Sequence, residues 1–228
     1  MRIVSAGSLA ETLNNLNEAF FFERALNRAE RTLAARWIAA RQGGPGSYAG
    51  MFAPTERDFK QGIKVFTGEA VRSGAATGHI LGEEACRALV LLNAPDPMTK
   101  AALARARFGM LRRLRETETR SKVHGIYCCG ICSAAYWRNV AAGGLDRREA
   151  RLAAGMKQLR AHRLGDGQWH RFPFFYTLLA LSEIDPKSAA EEIRYAAPRC
   201  ERYLKHAHGT GAFARRRRLL AERILARG

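Results

Sequence analysis

The sequence predicts an all-α protein of stacked helical hairpins. Ala, Leu, Arg and Glu recur at three- and four-residue spacing, runs of alternating β-branched residues are almost absent, and glycine- or proline-bearing turns punctuate the helical pattern. The 228 residues are 47% apolar, enough to bury a substantial core, and no Pro/Gly/Ser-rich linker divides them. A single helical repeat domain over 1–228 is therefore expected, with a basic helical region at about 199–228.

Ser8 can cap a first helix carrying Leu9, Leu13 and Leu16, whose end is weakened by Asn14, Asn15 and Asn17. A second helix is expected over about 22–42, stopped by Gly43-Gly44-Pro45-Gly46, with irregular chain over 48–64. Helix resumes near Gly68, with breaks at Gly78 or Gly82, and ends at Leu92 before Asn93-Ala94-Pro95-Asp96-Pro97. The next spans run from Thr99 to about Glu118 and from Ile131 to Ala142; another starts at Asp146 and aligns Leu152, Met156 and Leu159 on one face. Apolar residues cover most of the circumference around Phe174 to Leu181, which marks an inner helix. Asp185-Pro186 opens a helix that Pro198 kinks or divides, and the last runs over about 212–226.

An outer amphipathic helix, a polar turn, Gly-x-aromatic and an apolar helix recur three times. The turns are Gly46-Ser47-Tyr48, Gly125-Ile126-Tyr127 and Gly167-Gln168-Trp169. A hairpin cannot bury its apolar face alone, so such units must stack. Trp37-Ile38-Ala39-Ala40-Arg41-Gln42 followed by Gly46-Ser47-Tyr48 resembles the Gln/Trp repeat of the prenyltransferase and squalene cyclase superfamily. In the third copy Arg163 replaces the glutamine, and Gly165-Asp166-Gly167-Gln168-Trp169 is similar to the family's Asp-Gly-x-Trp turn. The resemblance touches roughly 30–185. It implies an α/α toroid, left open or incomplete here because eight or nine helices are counted against about twelve in the full ring, or completed by a partner chain or a second copy. It also implies an apolar concavity for a hydrophobic or isoprenoid-like ligand.

The aspartates are dispersed, so the paired acid motif with which the family's cyclases protonate an alkene is missing. The family's protein prenyltransferases hold zinc with Asp, Cys and His. The nearest counterpart is His124-x3-Cys128-Cys129-x2-Cys132, four metal-ligating side chains within nine positions, read either as a zinc site or as small buried helix residues. Cys129-x2-Cys132 also has redox spacing, without the βαβ context of that chemistry. His79-x3-Glu83, with Glu84 adjacent, can be an acid/base pair, a metal half-site or an ordinary hydrogen bond. His170, Arg171, Tyr176 and Thr177 follow the third turn and are candidates for the mouth of the ligand cavity. Cys86 and Cys200 read as core; His162, His206 and His208 read as surface.

Lys and Arg total 38 against 21 acids, a formal charge of +17, with 31 of the cations arginine. Such a field attracts anions, although a GC-rich genome also produces this composition. The run Arg215, Arg216, Arg217 and Arg218 is the candidate anion site, and it motivates a second class of function: a non-catalytic basic scaffold for nucleic acid, an anionic membrane or an acidic protein. Phosphate-loop, dinucleotide-turn and nucleophile-elbow motifs are absent. No apolar stretch is long enough to cross a bilayer. Five cysteines without a framework, and a start lacking signal-peptide character, lead to an expected cytoplasmic location.

Overall fold

The structure is a computed structural model and describes residues 3–71 and 73–227. Ten α-helices lie among these residues: α1 Leu9–Phe21, α2 Arg28–Ala39, α3 Glu56–Gln61, α4 Gly74–Leu92, α5 Pro97–Ser121, α6 Gly130–Ala141, α7 Arg148–Ala161, α8 Phe174–Glu183, α9 Pro186–His206 and α10 Ala212–Leu225. One two-stranded antiparallel ribbon pairs β1 Ile63–Lys64 with β2 Ala70–Val71. The mostly helical prediction holds. No described helix is long and apolar enough to cross a membrane.

Several boundaries differ from expectation for local reasons. The second helix starts at Arg28, not near 22, because Asn27 and Glu30 form a reciprocal capping box. Its asparagines do not shorten α1, whose Asn17 is buried. The 48–64 segment is less irregular than expected, since Thr55 and Asp58 form a second capping box that starts α3. Strand β1 lies at the end of the segment expected to be irregular and β2 in the stretch assigned to the start of the following helix, which Ser73 caps at Gly74 instead. Gly78 and Gly82 do not break α4. A β-carbon at Gly82 would come within 2.6 Å of the Met51 side chain, so this glycine lets the turn after α2 press against the helix. Pro198 lies inside a continuous α9.

Helices α4, α6 and α8 are buried around most of their circumference, whereas α2, α5 and α7 bury one stripe each. The buried row runs from α1 through α4, α6 and α8 to α10, with α2, α5, α7 and α9 packed outside it. The three aromatic turns share one relationship, each leaning on the outer helix of the next hairpin. Gly109 of α5 lies so close to Ala49 that a β-carbon would sit 2.0 Å from its carbonyl oxygen; Gly125 meets the α7 backbone at Ala154, and Gly167 meets α9 at Arg199. The residue after each matching outer helix reaches in the same direction. Gln42 accepts from Arg105 Nε on α5 at 2.6 Å, and Arg163 donates to Glu192 on α9 at 2.7 Å. Equivalent bridges join Gln42 to Phe52 and Arg163 to Trp169.

At the other side of the row, α10 meets α1 directly. Arg216 Nε donates to Glu18 at 2.7 Å, and Arg223 donates to the Phe21 carbonyl at 2.6 Å while lying 4.0 Å over its ring. Leu220, Ala221 and Ile224 supply the buried stripe of α10.

Candidate functional site

Charged side chains project from the buried helices into the middle of the row. Arg87 of α4 donates to both carboxylate oxygens of Glu183 at 2.7 and 2.9 Å, and to Asn17 at 2.8 Å. Arg138 of α6, 1% exposed, grips the same carboxylate at 2.8 and 3.0 Å and also pairs with Glu84, to which the Tyr176 hydroxyl donates. Two guanidiniums face two carboxylates, so the buried charge is balanced and its donors are occupied. Burial alone would push Glu183 up, but Arg138 and Arg87 outweigh it and hold the carboxyl below the ordinary glutamate range. The middle of the row is therefore a polar floor where an apolar concavity was expected.

A cavity of about 760 Å³ opens beside this floor, between α1, α8 and α10. Phe20, Phe21, Phe66, Leu91 and Leu179 provide its apolar wall. Five arginines, Arg24, Arg87, Arg138, Arg223 and Arg227, share the lining with two carboxylates, Glu23 and Glu183; Glu30 pairs with Arg24, and Glu84 and Glu183 balance Arg87 and Arg138, which leaves two guanidiniums against Glu23. Arg223 and Arg227 pair with no carboxylate among the described residues and instead donate to backbone carbonyls, Arg223 to Phe21 and Arg227 to Ser182 and Ile184.

Of the residues expected at the mouth, His170 and Arg171 are exposed, and Arg171 adopts a left-handed φ of 64°. Tyr176 and Thr177 are wholly buried, Tyr176 within the central network, so neither can serve as an open rim. The arginine run on α10 is largely engaged within the fold. Arg215 lies 4.4 Å over Phe22 and Arg216 4.2 Å over Phe66, while Arg217 and Arg218 donate to the carbonyls of Thr67 and Ala207. The expected solvated or anion-bound face is thus partly a set of internal braces.

The cysteines gather at the start of α6. Cys128 has a left-handed φ of 63°, Cys129 is the N-cap residue, and Cys132 is buried one turn on. A hydrogen bond from the Cys132 thiol lowers Cys129 to about 5, against burial, with help from the amides of Cys132 and Ile131; the same bond and burial push Cys132 far up. His124 does not join them. It is 63% exposed, with Nδ1 3.8 Å from Glu118, because the 124–129 turn carries it towards α5 and α7. His79 of α4 takes its place: one ring nitrogen of His79 and the sulfurs of Cys128 and Cys132 all lie within 4.8 Å of one another. Its ring stacks on Tyr48 at 4.6 Å and meets the edge of Tyr127 at 4.5 Å, so the first two aromatic turns enclose it.

Sequence reasoning found the cysteines and the His79-Glu83 pair separately, and missed Arg87, Arg138, Glu183, Arg223 and Arg227. The usable signal was charge inside helices otherwise too apolar to face water, as in Tyr136-Trp137-Arg138-Asn139. Comparison with known proteins finds no family model, no curated protein and no solved structure that matches the chain.

Proposed function

We propose that this chain is a ligand-binding repeat protein similar to the prenyltransferase and squalene cyclase toroids, reduced to a small ring that α10 closes onto α1. Its ligand is an amphiphilic anion, an isoprenyl or alkyl phosphate or carboxylate in chemical type. The observation that carries this reading is the cavity lining, where an aromatic and aliphatic wall faces an excess of guanidinium charge. A volume of about 760 Å³ is in the range of small-molecule sites. The apolar portion of the ligand lies against Phe20, Phe21 and Phe66, and its acidic group takes charge-assisted hydrogen bonds from Arg223 and Arg227.

Calorimetric titration with decyl phosphate and with decanol tests it. Saturable one-to-one binding of the phosphate is expected, with the alcohol much weaker and the R223A/R227A double variant weaker by about tenfold or more. Equal binding of phosphate and alcohol, or no binding of either, would sink the proposal. The basic-scaffold reading gains less support, because the arginines at 215–218 are occupied by rings, a carboxylate and carbonyls of the same chain.

A further inference from the structure

His79 presents an energetic problem that the hydrogen-bond network leaves open. The side chain is buried at 1% exposure, yet neither Nδ1 nor Nε2 has a hydrogen-bond partner among the described residues. A buried polar group left without a partner loses its hydration and gains nothing in return. Glu83 Oε1, 3.5 Å from Nε2, is likewise unpartnered, while Asn139 fixes the other carboxylate oxygen at 2.6 Å. Beside the ring stands a non-glycine residue in the left-handed region, Cys128, whose strained backbone holds its sulfur within 4.8 Å of that of Cys132.

One occupant resolves all of these features together. We propose that His79, Cys128 and Cys132 bind a soft divalent metal ion, zinc by the chemistry of the donors, and that Cys129 supplies the fourth ligand. Tetrahedral zinc with ligands at about 2.0–2.3 Å places the donors roughly 3.5–4 Å apart. The three donors already fall within 4.8 Å of each other. Cys129, next to Cys128 and one turn before Cys132 at the start of α6, closes the set by a side-chain rotation. With metal on Nδ1, the imidazole carries its proton on Nε2 and donates it to Glu83, so the three orphaned atoms acquire partners at once. Glu83 then orients the ligand histidine through its outer nitrogen, a positioning role that Asn139 supports. The ion ties α4 to α6, neighbours in the buried row, while the exposed Cys128 and Cys129 leave it accessible to chelators.

This site stands apart from the cavity and is tested without any ligand. Protein purified under reducing conditions is analysed for metal, stripped, and titrated with Co²⁺, whose thiolate charge-transfer and tetrahedral visible bands report the donors. One equivalent per chain is expected. H79Q and C132S should lose the tetrahedral spectrum, C129S should reduce the thiolate band, and H124A should leave affinity unchanged. E83Q should weaken binding by about 10–100-fold. Because the buried variants can fail to fold, C128S, at an exposed position, is checked by circular dichroism and must also lose the spectrum while remaining helical. A folded, reduced wild type that gives no thiolate–cobalt band overturns the proposal. So does loss of binding in H124A with retention in H79Q, or a Cys129–Cys132 disulfide as the stable state under the same reducing conditions.

Discussion

Glu183 bonds to two guanidiniums at once, and its substitution exposes what the central network contributes. The Arg138 and Arg87 charges keep its folded-state carboxyl below the ordinary range despite burial. Above that range the carboxylate is ionised in both folded and unfolded chains, and its stabilising pairing is fully present. As pH falls, the unfolded chain takes up the proton first, so this contribution fades until the folded-state value is passed. E183Q should therefore lower stability at pH 7 by about 2–3 kcal/mol, less than the roughly 3–5 of a fully buried pair because Glu183 is 23% exposed. It should also flatten the loss of stability as pH falls through and below the ordinary glutamate range, as urea midpoints across that fall would reveal. A variant matching the wild type at both ends would mean that the network is inert. These residues were hard to identify because pairing is non-local: Arg87 and Glu183 lie 96 positions apart. Spacing reveals helical faces, but it does not reveal which charge meets which.

At the scale of elements, the turns are held by close approach to the next outer helix, and Gly109 discriminates sharply. In an isolated helix Gly→Ala is favourable by about 1 kcal/mol. Here the new methyl would sit 2.0 Å from the Ala49 carbonyl oxygen, and overpacking of this kind costs about 1–3 kcal/mol. G109A should thus lower the thermal midpoint, whereas a rise would show that turn and helix do not touch. Helix identity and the three turns were legible because 3.6-residue periodicity and Gly-aromatic punctuation are local signals. The ribbon was not, since β1 and β2 contribute two residues each, too few for an alternation to be read from sequence. Helix α3 was hidden by its six-residue length, although Thr55-x2-Asp58 was a readable capping box.

For the whole molecule, the formal charge of +17 is not simply an external field, because many of its arginines brace the interior. Arg216 reaches Glu18 and the Phe66 carbonyl, Arg217 the Thr67 carbonyl, and Arg227 the carboxyl end of α8. The proposed ring, and the cavity with it, depends on the last of the ten described helices docking against the first. Periodicity indicated that α10 has an apolar stripe, but only the fold places that stripe on α8 and α9 and its arginines on α1. Hydrogen–deuterium exchange over Ala212–Leu225 tests this closure most directly. The account predicts that these amides are protected together with those of Phe174–Glu183. Rapid exchange of α10 as a frayed appendage, with α8 still protected, would contradict it.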